Sequence, residues 1–153
     1  MRKIAFGYST RCNIKCEHCV AADATPQHSK MELAQAKQII VEMAELVCLC
    51  QEYEIYTRVV SNSFWAKTPE SADRCIVQLK KNGLSQMRLS YSRWHQRNIG
   101  RRNIVNAAES CKRNGLDYFV SFVTDFSEQD DDFENYLREH YLRFFPEPVR
   151  NGN

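Results

Sequence analysis

The sequence lacks the features that mark several classes of protein. It has no apolar run near the roughly 20 residues that a membrane-spanning helix needs. No apolar leader of the secretory kind opens it, so a reducing, cytoplasmic location is expected. The net charge is only +2, and charge alone therefore gives no indication of nucleic-acid binding. Repeats, low-complexity tracts and linkers are also missing, and this absence indicates a single domain that spans residues 1–153.

Cysteine is better represented, with seven residues, an odd number that does not complete a disulfide framework. Cys12, Cys16 and Cys19 form a C-x3-C-x2-C run. The run follows an apolar segment, Ile4–Tyr8, which predicts a first strand. Three thiolates on one loop can hold three irons of a [4Fe–4S] cube and leave the fourth iron without a protein ligand. The spacing therefore indicates an iron–sulfur site with one open iron.

Other interpretations of these cysteines remain open. A zinc site needs four ligands, and the fourth would come from His18, His28 or a distant cysteine. The protein would then be a zinc-binding interaction module. A further alternative is that the three cysteines are structural residues whose spacing arose by chance. The remaining cysteines fall within helical patterns and are expected to be small core residues: Cys48, Cys50, Cys75 and Cys111.

Helical and strand patterns alternate along the rest of the chain. The predicted helices span 31–54, 69–82, 101–113 and 130–140, and the predicted strands span 57–62, 86–90, 117–123 and 142–145. The later strands recur at intervals of roughly 30 residues, which is typical of βα units and a parallel sheet. Together with the first strand, the pattern predicts an α/β fold: a partial (β/α) barrel with a mostly parallel sheet of about five strands.

Polar residues fall where the predicted strands end. Asn62 follows the second recognised strand and Ser92 follows the third, while the cysteine loop follows the first. Ligands of parallel sheets bind at the carboxyl ends of the strands, so these residues are expected on one rim. Arginines crowd residues 88–102 and carboxylates crowd residues 128–134. Both groups are interpreted as solvated faces, although the arginines could meet a phosphate or carboxylate.

Four segments carry a resemblance to a known family. Gly7–Cys19 resembles a cluster-binding loop, and Val60–Ala66 is similar to a T-N-x-x-W-A strand end. Leu89–Gln96 is similar to an L-S-x-D-x-F-H segment, and Phe144–Pro148 resembles a segment near a sixth strand. On these segments the chain resembles the radical S-adenosylmethionine (radical SAM) superfamily over most of its length.

The resemblance implies a [4Fe–4S] cluster on Cys12, Cys16 and Cys19 and a bound S-adenosylmethionine near His18, Asn62 and Ser92. The implied reaction is reductive cleavage of S-adenosylmethionine to a 5′-deoxyadenosyl radical, which acts on an unknown peptide or small molecule. An electron donor such as flavodoxin or ferredoxin is implied as a partner, whereas a membrane and a nucleic acid are not. No catalytic residue of the chain is assigned.

Two departures from the family pattern qualify this expectation. The G-G-E-P run, whose glycines and glutamate hold the amino group of S-adenosylmethionine in the family, is absent. Ser92 stands where the family usually carries an acidic residue near the ribose or substrate. The alternative is therefore a catalytically impaired or truncated radical SAM domain that binds a cluster without turnover.

Overall fold

The computed structural model describes residue 45 and residues 47–148. The predicted strand Ile4–Tyr8, the cysteine loop and most of the predicted helix over 31–54 lie outside these residues. Residue 45 and residues 47–52 are helical, as predicted for that part of the chain.

Strands and helices alternate from residue 58 onward. The elements are β1 (Arg58–Ser61), α1 (Pro69–Lys81), β2 (Gln86–Tyr91), the short α2 (Arg93–Gln96), α3 (Arg101–Arg113), β3 (Asp117–Thr124), a 3₁₀ turn (Glu128–Asp130), α4 (Asp131–Glu139) and β4 (Phe144–Pro148). The strands pair in parallel in the order β1-β2-β3-β4. The predicted α/β class with a parallel sheet is confirmed, and the described sheet has four strands.

Local signals set the limits of the helices. The Thr68 side chain accepts a hydrogen bond from the Ser71 amide at 3.2 Å, and the Ser71 hydroxyl accepts one from the Thr68 amide at 3.1 Å. This capping box satisfies amides that have no partner inside α1, and Pro69 fits the first turn because its missing N–H is not needed there. Gly83 ends the segment with φ of 89°, a left-handed conformation that glycine adopts without strain.

The connecting helices cover one face of the sheet. Right-handed crossovers between neighbouring parallel strands place α1, α3 and α4 on the same side. Alternate strand residues on that side are fully or almost fully buried in the core: Met87, Leu89, Tyr91, Val120 and Phe122. The intervening residues lie on the opposite face, which we call the open face because none of the helices that connect the described strands packs against it. They include Arg58, Val60, Gln86, Arg88, Ser90, Phe119, Ser121, Val123, Phe145 and Glu147.

The last strand begins later than the sequence indicates. The apolar pattern predicts a strand over 142–145, whereas β4 runs from Phe144 to Pro148 and includes Pro146. Proline cannot donate to a sheet ladder and is tolerated where its nitrogen faces away from the neighbouring strand. β4 lies at an edge of the described sheet, so a proline there breaks no described ladder bond.

Candidate functional site

The carboxyl ends of the strands bring three polar residues to one edge of the sheet, which we call the rim. Asn62, Ser92 and Asp125 directly follow β1, β2 and β3. The strands are parallel and in order, so the three loops share that edge. The sequence predicts this position for Asn62 and Ser92, and the structure places both of them there. Whether they bind a cofactor stays a prediction.

The loop after β1 is held by its own polar groups and by α3. The Asn62 Oδ1 atom accepts a hydrogen bond from the Phe64 amide at 3.2 Å, which forms a tight turn over Ser63. Ser63 has φ of 63°, a conformation that non-glycine residues seldom adopt. Asn103 of α3 donates to the carbonyl oxygens of Ser63 and Phe64 at 3.1 and 3.2 Å. The helix behind the sheet therefore fixes this part of the rim.

Trp65 packs inside this loop. Its indole N–H donates to the Ser61 hydroxyl at 2.8 Å, and its ring packs against the core. Both contacts are structural, which favours a packing role for this tryptophan.

The loop after β2 contains a buried hydroxyl–imidazole pair. The Ser92 Oγ and His95 Nδ1 atoms lie 2.6 Å apart, and both residues are buried. The direction of this hydrogen bond follows the tautomer of the imidazole. The ring of Tyr91 stacks on that of His95 with 5.7 Å between centroids. His95 is therefore a hydrogen-bonded residue of the rim.

Arg93 ties the β2 loop to the β3 loop. Its guanidinium donates to both carboxylate oxygens of Asp125 and, at 2.8 Å, to the Ser127 hydroxyl. A further carboxylate oxygen, on the buried Asp130, lies 3.6 Å from it. Asp130 is itself held, because its other oxygen accepts hydrogen bonds from the Thr124 hydroxyl at 2.6 Å and the Asp125 amide at 3.2 Å. The two loops therefore form one hydrogen-bonded unit beside Ser92.

The basic and acidic stretches of the sequence meet in the folded chain. Arg93 contacts Asp125 and Asp130, and Arg101 of α3 pairs with Asp132 of α4. The interpretation as solvated faces is therefore wrong for Arg93 and for the buried Asp130, whereas the Asp132 side chain is 77% exposed and remains solvated. The sequence signal that could have located the pairs is the position of the two charge groups after neighbouring strands, since neighbouring βα loops lie together at the rim.

The ion pair between Asp125 and Arg93 should make the stability of the protein depend on pH. Hydrogen bonds from Ser127 and then from the Arg93 guanidinium hold the pKa of the Asp125 carboxyl well below its usual range. A carboxyl whose pKa is lowered in the folded state contributes stability above its unfolded pKa, about 3.9, and loses it as the pH falls. We expect Asp125→Asn to be less stable than the native chain at pH 7, and the difference to shrink below about pH 4.

Urea unfolding at several pH values measures this difference. Glu139→Gln, a change at an exposed position at the end of α4, is the control, and its stability should stay close to that of the native chain at every pH. A difference between Asp125→Asn and the native chain that stays constant from pH 7 to pH 2.5 would contradict the ion-pair account.

The remaining cysteines divide by burial. Cys111 is buried in α3, and burial raises the pKa of its thiol to about 12, so it stays protonated and inert at neutral pH. Cys75 is partly buried, and desolvation raises the pKa of its thiol as well. These two fit the expected core role. Cys48 does not, because it is exposed, with its sulfur 3.6 Å from the Asn82 carbonyl oxygen.

The predicted metal ligands Cys12, Cys16 and Cys19 and the predicted cofactor residue His18 lie outside the described residues. Within the described part of the chain, histidine, cysteine, aspartate and glutamate form no group of three or more that could hold a metal ion. Over the same part, none of the helices is both long enough and apolar enough to cross a bilayer.

Comparison with known proteins gives one distant curated relative. YydG of Bacillus subtilis (strain 168), which is described as a peptide biosynthesis protein, is 18% identical over 135 residues, a match that covers 73% of this chain and 42% of YydG. The chain thus matches less than half the length of this relative. No family model matches the chain. Among solved structures, a protein described as a phosphonomutase from Burkholderia cenocepacia is 17% identical, with a TM-score of 0.45, over 69% of this chain and 50% of that one.

Proposed function

We propose that this chain is a radical SAM-type protein that binds a [4Fe–4S] cluster through Cys12, Cys16 and Cys19. The observation that carries the proposal is the C-x3-C-x2-C spacing after a predicted first strand. Three thiolates are a donor set that suits such a cluster, since they leave one iron open for a second ligand. The parallel sheet supports the proposal because Asn62 and Ser92 follow the ends of neighbouring strands, as the resemblance requires.

The cofactors would supply the chemistry, which is reductive cleavage of S-adenosylmethionine to a 5′-deoxyadenosyl radical. The role of the described residues is to bind and orient. Asn62 and Ser92 would be the polar groups nearest the ribose and methionine portions of the ligand. Ser92 is fully buried and its hydroxyl lies 2.6 Å from a ring nitrogen of His95, so a direct contact with the ligand requires the loop after β2 to move.

The name of the YydG relative suggests a first substrate class. It refers to peptide biosynthesis, and we propose a peptide as the substrate to test first. The electron donor would be a small redox protein such as a flavodoxin or ferredoxin.

A second candidate is a domain that binds the cluster without turnover. The absent G-G-E-P run favours it, because the hydrogen bonds that this run gives to the amino group of S-adenosylmethionine are lost. Hydrogen bonds to a charged group contribute roughly 1.5–3 kcal/mol each, or about a tenfold or larger loss of affinity per bond. We therefore expect weak binding of S-adenosylmethionine and slow or absent cleavage even when the cluster is complete.

Anaerobically reconstituted protein with a strong reductant tests both candidates. Titration of S-adenosylmethionine, followed by cluster spectroscopy, measures binding, and 5′-deoxyadenosine formation measures turnover. Tight binding with rapid cleavage would show that another carboxylate replaces the lost run. Glu45, Glu52 and Glu54, all exposed, are the first residues to replace by glutamine in that case.

A further inference from the structure

The open face of the sheet is unusually polar for its place in the fold. Parallel sheets are ordinarily covered on both faces and rich in apolar residues on both. Here the central positions of the open face include Arg88 on β2, Ser121 on β3 and Glu147 on β4. Arg88 donates to the Ser121 hydroxyl at 3.0 Å and pairs with Glu147. Charged residues on a face of a parallel sheet that the connecting helices leave uncovered favour a ligand-binding surface over a packed core.

Aromatic and aliphatic side chains lie directly beside this charged group. Phe119 and Phe145 contact edge to face with 5.5 Å between ring centroids, and the Arg88 guanidinium lies 6.0 Å from the centre of the Phe119 ring. Val60, in register with Arg88 on the adjacent strand, is 58% exposed, and Phe145 is 53% exposed. Arg58, on the same face, lies 5.2 Å from the centre of the Phe119 ring, so the open face offers two cations next to an apolar surface that is partly exposed.

Arg88 retains hydrogen-bonding capacity in this arrangement. Its Nε atom is buried and has no hydrogen-bond partner among the residues that the structure describes. Its side chain as a whole is 29% exposed, and the carboxylate it pairs with belongs to the still more exposed Glu147. Leaving a buried donor unpaired is costly, so a small rotation of the guanidinium that lets it donate to an anionic ligand would be favourable. Ser121, which is fully buried, holds the arginine in place.

We propose that the open face binds the carboxyl-terminal residue of a peptide, with the terminal carboxylate on Arg88 and an apolar last side chain against Phe119 and Phe145. Four strands at about 4.8 Å spacing give a width of roughly 14 Å, which is the length of about four extended residues. Glu147 competes with the ligand carboxylate for the same guanidinium. This inference rests on the proposed function for the idea that the peptide is a substrate, but the binding itself requires no cluster.

Calorimetry with the peptide acetyl-Gly-Ala-Ala-Phe and its carboxyl-terminal amide tests the proposal on the full chain. Loss of a charge-assisted hydrogen bond corresponds to about tenfold or more in affinity, so the amide should bind at least about tenfold more weakly than the acid. Arg88→Gln should weaken binding of the acid by a similar factor, and Arg88→Lys by less. Arg138→Gln, on the outer surface of α4, is the matched control and should stay within about twofold.

Glu147→Gln provides the decisive second variant. It removes the competing carboxylate and should bind the acid more tightly than the native chain does, whereas a merely structural ion pair would give weaker binding. Equal affinity for acid and amide, or weaker binding in Glu147→Gln, would overturn the proposal. A Cys12→Ser chain without a cluster should give the same affinities. If the native chain holds its cluster but does not bind the peptide, this inference is refuted and the proposed function still stands.

Discussion

Replacing Cys12, Cys16 or Cys19 by alanine is expected to abolish most of the iron and sulfide that the chain binds after anaerobic reconstitution. The native chain should hold about four irons and four sulfides, and a cube held by three thiolates loses a corner ligand in each variant. Iron and sulfide analysis, with the absorbance of the cluster, measures the loss. The effect should be nearly complete for each single change, because no other group of three ligating residues occurs in the described part of the chain.

Cys75→Ala is the matched control for this experiment. Cys75 is partly buried in α1, and desolvation raises the pKa of its thiol, so it is poorly suited to act as a thiolate ligand. The variant should retain the full iron and sulfide content. A native preparation that holds one zinc and no sulfide would instead support the zinc-binding interaction module and end the iron–sulfur proposal.

Phe133→Ala is expected to produce one of the largest losses of stability within the described residues. Phe133 of α4 is almost fully buried, and its ring contacts those of Tyr91 and Phe122 at centroid distances of 5.0 and 5.3 Å. Removing a buried aromatic ring costs about 3–5 kcal/mol of unfolding free energy, because apolar burial is lost and a cavity remains. Tyr91 directly precedes Ser92, so this cluster also supports the rim.

Equilibrium unfolding in urea measures the loss. Val77→Ala, at a position of α1 that is 48% exposed, is the control and should cost less than about 1 kcal/mol. A cost below about 1 kcal/mol for Phe133→Ala would show that α4 does not contribute to the cooperative core. Such a result would also remove the support that we assign to the loop after β2.

Local chemistry made the α/β class and several helix limits predictable. Thr68-Pro69 and Asn82-Gly83 act through bonds within a few residues, so the sequence locates the start and end of α1 directly. The local sequence pattern also predicts that Asn62 and Ser92 lie at the ends of strands. The bounds of the last strand were harder to predict from the sequence, because the apolar residues begin before the point at which the chain pairs with β3.

Contacts between distant segments could not be predicted in this way. The Arg93–Asp125 pair joins residues 32 positions apart, and the Arg88–Glu147 pair joins residues 59 apart. Periodicity indicates which face of an element is apolar, but it does not indicate which charged side chains of other elements come within hydrogen-bonding distance. The exposed Cys48 is a similar case, because a helical pattern alone does not specify which side of the helix another element covers.

The sequence by itself determined the α/β class, the alternation of strands and helices, and the cysteine spacing on which the proposed cluster rests. Those features depend on local hydrogen bonds, on hydrophobic periodicity and on the order of residues along one loop. The tertiary structure decided that Ser92 is paired with His95, that Arg93 joins two loops, and that Arg88 lies among aromatic rings on an open face. These arrangements arise only when parallel strands come into register, because register determines which side chains of neighbouring strands share a face.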